Sequence, residues 1–398
     1  RPSQAPSPAE TPRGDPALVW ERAQQKEEPQ ALAQRARQLL DRASPELRAE
    51  LLAHLRQHPL WRVQPFERAE GLADDLIYRR GMLELDDERV LLWSGEAKRG
   101  QSGLRLLHRG SGRTLRDDIS SELVSAVARD GERVLFATVL SQLHALDLAA
   151  PKAAPVRLEV QGPGATFSNP VLALGRDSDA IYALCGQPGA SKVPGGVWRV
   201  DRSTLTTTQL SEDPHQGRAI ATTPTGQLIV AGGHKGDELP GAVFGRREGG
   251  AWSFELITPF ECEDVVVTPS GDHALVGTLN GDILVLALQG NEWKQLLPLG
   301  RKGSSVVLRT AHEGQLRSLA LTPSGDVLIS AAQPTDRGDA ELALWKAKGP
   351  GDYEEIARLH QHSSPRHVSV SADGSQLYVA YADRSYAAWY LPALSSSD

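Results

Sequence analysis

The stretch Leu319-Ala320-Leu321-Thr322-Pro323-Ser324-Gly325-Asp326-Val327-Leu328-Ile329-Ser330 decides the fold: an apolar run, a tight turn, and a second apolar run. The pattern recurs on both sides of it, with turns at Asp86-Asp87-Glu88, Arg129-Asp130-Gly131, Asp177-Ser178-Asp179, Pro224-Thr225-Gly226, Pro269-Ser270-Gly271 and Ala372-Asp373-Gly374. The last residues of successive turns lie 43, 48, 47, 45, 54 and 49 residues apart. Steps of this size, filled with short strands, predict an all-β, seven-bladed β-propeller of about four strands per blade.

The stretch after each turn is the most continuously apolar, as at residues 134–137, 181–184, 274–277 and 327–330. Such runs suit a strand buried on both faces between neighbouring blades. A third stretch follows a variable loop, for example at 143–146, 342–345 and 386–389, and a more polar outer strand fits 156–160, 252–257, 293–297 and 353–357. The last repeat has no room for an outer strand, because only residues 391–398 remain. An open ring would expose unpaired edges, so residues 61–66 are expected to supply the missing strand and close it.

Ahead of the repeats the pattern changes. Residues 1–15, with Pro2, Pro6, Pro8 and Pro12, read as a flexible leader, and residues 16–58 as a helical extension before a propeller over 60–398. Leu32, Ala36, Leu39 and Leu40, then Leu47, Leu51, Leu52 and Leu55, recur at helical spacing, and Ser44-Pro45-Glu46 is a helix start with a hydroxyl cap and proline at the first position. These short amphipathic helices are expected to pack on each other and on the propeller, with a detachable partner-binding arm as the alternative. A proline-rich leader without a methionine favours export to the periplasm or outside the cell over a cytoplasmic location.

In the sixth unit, Ala311-His312, residues 319–325, Ser330, Asp339 and Leu344-Trp345-Lys346 resemble a WD-repeat; the seventh, with His362, Asp383 and Trp389, is similar. The resemblance implies a hydrogen-bonded bracket inside the blade, formed by His312, Ser330, Asp339 and Trp345. It also implies a scaffold for protein contacts. Lysine follows Trp345 where aspartate is usual, Val379 stands where the seventh unit should carry a hydroxyl, and units one to five lack most of the bracket. The second unit, Gln142-Leu143-His144-Ala145-Leu146-Asp147, leans toward the repeats of quinoprotein-like propellers.

A net charge of -7 argues against a nucleic-acid surface, and no apolar run reaches the length of a membrane span. Cys185 and Cys262 fall in different repeats and are expected to stay unpaired. Gly100-Gln101-Ser102-Gly103 lacks the spacing of a nucleophile elbow, and Asp177-Ser178-Asp179 lacks the further acids of a calcium loop. His360, His362 and His367 crowd one loop, but the bracket position accounts for His362, so neither a metal nor another cofactor is expected. The favoured reading is a non-catalytic scaffold for another protein or peptide; the alternative is a propeller enzyme or cofactor binder, such as a hydrolase, lactonase or quinoprotein, working at the central channel. Four connections between second and third strands are long and rich in Gly, Pro and charge: 96–102, 186–196, 234–240 and 333–338. They bring Lys98, Arg99, Lys192, Lys235, Asp237, Glu238, Asp336 and Arg337 to one face as a mixed-charge rim suited to a protein partner. Charge changes in the short turns of the other face, at Asp130 or Asp373, are expected to leave partner capture unweakened.

Overall fold

A computed structural model of the chain describes residues 14–67, 80–95, 102–120, 122–140, 142–150, 152–161, 171–176, 179–185, 196–211, 217–232, 241–248, 251–289, 292–295, 307–308, 311–333, 340–349, 351–361 and 363–391. Seven antiparallel sheets make up a β-propeller. The inner strands of blades 1 to 7 are Arg80–Glu84, Val124–Asp130, Val171–Arg176, Gly217–Thr222, Cys262–Val267, Leu316–Leu321 and Pro365–Val370. Each leads by a tight turn into the second strand, in the same order Arg89–Ser94, Arg133–Thr138, Ala180–Cys185, Leu228–Gly232, His273–Thr278, Val327–Ala332 and Gln376–Tyr381. Second strands are buried from end to end in blades 3, 4 and 6, as their apolar runs require. Outer strands vary more. Blade 2 keeps only Val156–Arg157, because the Val160 amide turns back onto the Leu158 carbonyl, whereas blade 6 extends its outer strand over Asp352–Gln361.

The first-to-second-strand turns of blades 4 to 7 share one construction. The hydroxyl of Thr223, Thr268, Thr322 or Ser371 accepts the amide of Gln227, His273, Val327 or Gln376 at 3.1, 3.1, 3.0 and 2.8 Å. Each turn then needs a left-handed residue, and Gly325 supplies it at φ 78°. A second constraint acts on Gly325: a Cβ there would lie 2.9 Å from Cδ of Pro269 in the preceding blade. Consecutive turns therefore stack, proline under glycine.

The ring closes through the N-terminal segment. Trp61–Val63 pairs antiparallel with the third strand of blade 7, Tyr386–Tyr390, matching Trp61 to Ala388 and Val63 to Tyr386. Behind the strand, Trp61 Nε1 donates to the Arg109 carbonyl at 2.6 Å. The Arg109 guanidinium then joins blade 1 to blade 7: it meets Glu84 at 2.9 Å, Asp373 at 2.8 Å and the Tyr378 hydroxyl at 3.1 Å. Glu84 in turn accepts the Ala372 amide. Burial raises the Glu84 carboxyl above its ordinary range, while hydrogen bonds from Ser371, Arg109 and Ser375 outweigh burial at Asp373 and hold its carboxyl low.

Three helices precede the closing strand: α1 Pro16–Gln24, α2 Pro29–Leu39 and α3 Pro45–Gln57. Each starts with proline at the first turn, and the Ser44 hydroxyl caps α3 by accepting the Leu47 amide at 3.3 Å. Their buried face is continuous with the propeller. Trp20, Leu39, Leu51 and Leu55 form one apolar cluster with Trp61, Met82, Leu92, Tyr378 and Tyr386. The extension is thus a cover over the junction of the first and last blades. Among the described residues, no helix is long and apolar enough to cross a membrane.

Candidate functional site at the two mouths of the channel

Of the residues implied for the bracket, blade 6 brings three together. Ser330 Oγ lies 2.7 Å from His312 Nε2 and accepts a hydrogen bond from Trp345 Nε1 at 2.8 Å. Asp339 lies outside the described residues; the carboxylate at His312 Nδ1, 2.9 Å away, is that of Glu341, which Arg358 also pairs. Burial lowers the His312 pKa, with Glu341 partly opposing it. Sequence reasoning missed Glu341 because the acid sits inside the third strand, two residues beyond the turn position that the resemblance names. In blade 7, His362 lies outside the described residues and Asp383 turns instead to Ser385 at 2.6 Å and Arg62 at 2.9 Å. Trp389 Nε1 donates to the Tyr381 hydroxyl at 3.0 Å, so a phenol two residues beyond Val379 serves as its acceptor.

Other expectations meet the structure unevenly. All eight rim residues, Lys98, Arg99, Lys192, Lys235, Asp237, Glu238, Asp336 and Arg337, lie outside the described residues. The two turn-face control positions are structurally engaged. Asp130 is buried and paired with Arg202 of the next blade, and Asp373 holds Arg109, so both carry inter-blade ion pairs. His367 packs its ring edge-on against Trp93 at 5.1 Å, and among the described residues no three His, Cys, Asp or Glu side chains converge as metal ligands would. Cys185 and Cys262 are free, buried thiols in separate apolar clusters; burial pushes the Cys262 pKa up to about 12.

The channel has two chemically distinct ends. On the turn face, a cavity of about 830 Å³ is lined by the inner strands of blades 2 to 5 and runs outward between blades 3 and 4, to Tyr182 and Arg199 on the second and third strands of blade 3 and Trp252 on the outer strand of blade 4. Leu174, Ile220 and Val267 contribute apolar wall, Thr222, Thr223 and Thr268 contribute hydroxyls, and Tyr182 meets Trp252 edge-on at 5.8 Å beside Arg199. Arg199 is paired with Asp201 at 3.7 Å. Such a lining holds a partly apolar ligand by contact and hydrogen bonds.

On the opposite face, where the long connections leave Ser94, Cys185, Gly232 and Gln333, the inner strands of blades 2 to 7 each carry a register shift near their first residues. In blades 4, 5, 6 and 7 the residues at the shift are Arg218, Glu263, Arg317 and Arg366. Glu263 joins its two neighbours: one carboxylate oxygen pairs with Arg218, and the other lies 3.2 Å from Arg317. Arg317 also donates to Gln333 at 2.9 Å and Gln315 at 2.8 Å, and Arg366 reaches Gln333 at 3.5 Å. Sequence reasoning missed this row, although its signal was present: arginine is the second residue of the inner strand in three of the last four blades.

No family model and no curated relative matches the sequence. Solved structures do. The propeller domain of Myceliophteria thermophila Cps50 (Swd1) is 12% identical with a TM-score of 0.58, covering 84% of this chain and 100% of that one. A chain of the mitotic checkpoint complex is 14% identical with a TM-score of 0.60, over 84% and 96%. Kuenenia stuttgartiensis hydrazine synthase is 13% identical with a TM-score of 0.58, over 83% and 99%. At these identities the likeness shows the β-propeller fold alone.

Proposed function

We propose that this protein is a non-catalytic scaffold that captures another protein or peptide on the long-loop face of its propeller. One observation supports the reading above others: the charged inner-strand row Arg218-Glu263-Arg317 occupies the face from which the four long connections depart. A rigid ring with charge at its centre and variable loops around it suits capture of a polar protein surface. In this reading Lys98, Arg99, Lys192, Lys235, Asp237, Glu238, Asp336 and Arg337 supply the surrounding contacts. The test is quantitative co-purification of interacting proteins from the source cell extract, followed by affinity measurement on the recovered partner. Charge reversals at Arg99, Lys235 and Arg337 should weaken that affinity with the melting temperature unchanged, while Glu132→Lys, at an exposed turn of the other face, should not. Equal losses from both faces would overturn the assignment.

A second reading rests on the turn-face cavity, whose volume and aromatic wall suit a small ligand bound at the channel, as a propeller enzyme or cofactor binder would require. A small-molecule thermal-shift screen of the wild type and Trp252→Ala separates the two readings. A hit lost with Trp252 would favour this one.

A further inference from the structure

The row at the long-loop mouth carries a surplus of positive charge in a chain whose formal net charge is -7. The described inner-strand ends at this mouth present Arg80, Arg218, Arg317 and Arg366 against Glu263 and Asp264. Two of these six are committed to backbone. Arg80 donates to the Tyr381 carbonyl at 3.0 Å, and Asp264 accepts the Leu319 amide at 2.8 Å. What is left is a single carboxylate, Glu263, shared by Arg218 and Arg317, with Arg366 next in line.

The two guanidiniums are held differently. Arg317 is 7% exposed and spends Nε and both Nη groups on Glu263, Gln315 and Gln333. It is a fixed buried charge. Arg218 is 15% exposed and, among the described residues, uses only Nη1, toward Glu263. A guanidinium has five N-H donors in a planar fork, so Arg218 keeps one edge for an acceptor outside this network. Burial at a channel mouth strengthens such a field, because little water screens it.

We propose that this mouth is a carboxylate-binding site: an Asp or Glu side chain of the captured peptide enters beside Glu263 and takes the open edge of Arg218, with Arg317 supplying fixed positive charge behind. The inference rests on the scaffold reading for the identity of the ligand as a peptide, but its test does not use the rim loops. Glu263 is the built-in competitor for both arginines. Its removal should therefore strengthen binding, which a merely structural ion pair would not do.

The test uses the full chain and a fluorescein-labelled hexaglutamate peptide, read by fluorescence anisotropy at low and at physiological salt, with labelled hexalysine as the opposite-charge control. Hexaglutamate should bind, weaken with added salt, and lose about tenfold affinity in Arg218→Gln, a variant that removes one edge of the row. Glu263→Gln should bind several-fold more tightly. Circular dichroism melting of each variant identifies any that fails to fold; Arg218→Lys, which keeps the charge and loses the fork, then serves in place of Arg218→Gln and should still weaken binding. Absence of hexaglutamate binding, equal binding by hexalysine, or no gain in Glu263→Gln would overturn the site. Displacement of the peptide by inorganic phosphate at matched concentration would also overturn it as a peptide site. Rim reversals that abolish partner capture while hexaglutamate binding fails would refute the mouth alone, and the reverse pattern would refute the rim.

Discussion

Blade 6 and the junction of blades 7 and 1 are each held by a buried polar network, but the two networks join very different lengths of chain. In blade 6, Ser330 takes its partners from 18 residues before it and 15 after it. At the junction, Arg109 reaches Asp373 and Tyr378 across 264 and 269 residues. Blade 6 can complete its bracket as soon as its own strands meet. The junction network forms only when the whole ring has closed, after the full loop-closure entropy has been met. A repeat protein's stability is close to a sum of neighbouring terms, so a defect in blade 6 is local, whereas one at the junction acts on every blade.

The strongest way to break this comparison is to remove the closing segment. Deleting residues 1–67 strips the outer strand from blade 7, removes Trp61 and uncovers the apolar cluster beneath the helices. Loss of a cooperative melting transition is expected, together with aggregation through the exposed edge. Deleting residues 1–13 should leave the melt unchanged. If both truncations melt like the full chain, the junction is not what holds the ring.

A smaller effect is expected from Arg109→Ala. The change leaves Glu84, whose side chain is 5% exposed, without its cation. A loss of about 3 to 5 kcal/mol by chemical denaturation follows for a broken buried pair. Retention of wild-type stability would place the junction's strength in its apolar cluster instead.

Smaller again is Ser330→Val. At the equivalent place in the second strand the other blades carry Leu92, Phe136, Ala183, Val230, Val276 and Val379, all buried. In blade 6 alone the change orphans a histidine and an indole nitrogen, at about 1 to 3 kcal/mol per unpaired group. The triple change His312→Leu, Ser330→Val and Trp345→Phe should recover much of that loss, because no polar group is then left unmatched. A triple variant weaker than the single would show that the bracket adds more than mutual satisfaction.

The mildest test is pH. Burial holds the His312 pKa below the ordinary 6.5, so its contribution is complete above that value and declines as pH falls through it, when the unfolded chain takes up the proton first. His54 and His144 are also lowered by burial, so the informative quantity is the difference between wild type and His312→Gln. That difference should shrink between about pH 7 and pH 5. A constant difference would mean that folding leaves the His312 pKa unmoved, and one that grows toward acid would mean that His312 is protonated in the fold.

The periodic turns, the apolar second strands and the need for a closing strand are all readable in one dimension, because they depend on local spacing and on counting strands. The helix cap at Ser44 belongs to the same class, and the bracket members His312, Ser330 and Trp345 follow from the resemblance to a WD-repeat. Glu341 and Tyr381 do not: a resemblance names positions, whereas a histidine or indole nitrogen takes whichever acceptor the pleat brings within reach. Nothing local marks Arg109, Asp130 or Asp373, because an ionic partner of each lies in another blade.

What the amino-acid order determined by itself is the repeating unit: short strands and tight turns follow from alternation, glycine and proline acting within a few residues. What only the tertiary structure decided is everything that arises where blades meet. The cover of the helices over the junction, the cavity among blades 2 to 5 and the row Arg218-Glu263-Arg317 each join residues from separate repeats. Their chemistry exists only because ring closure brings inner strands from distant parts of the chain around one axis, where burial makes a few charges count for more than they would on the surface.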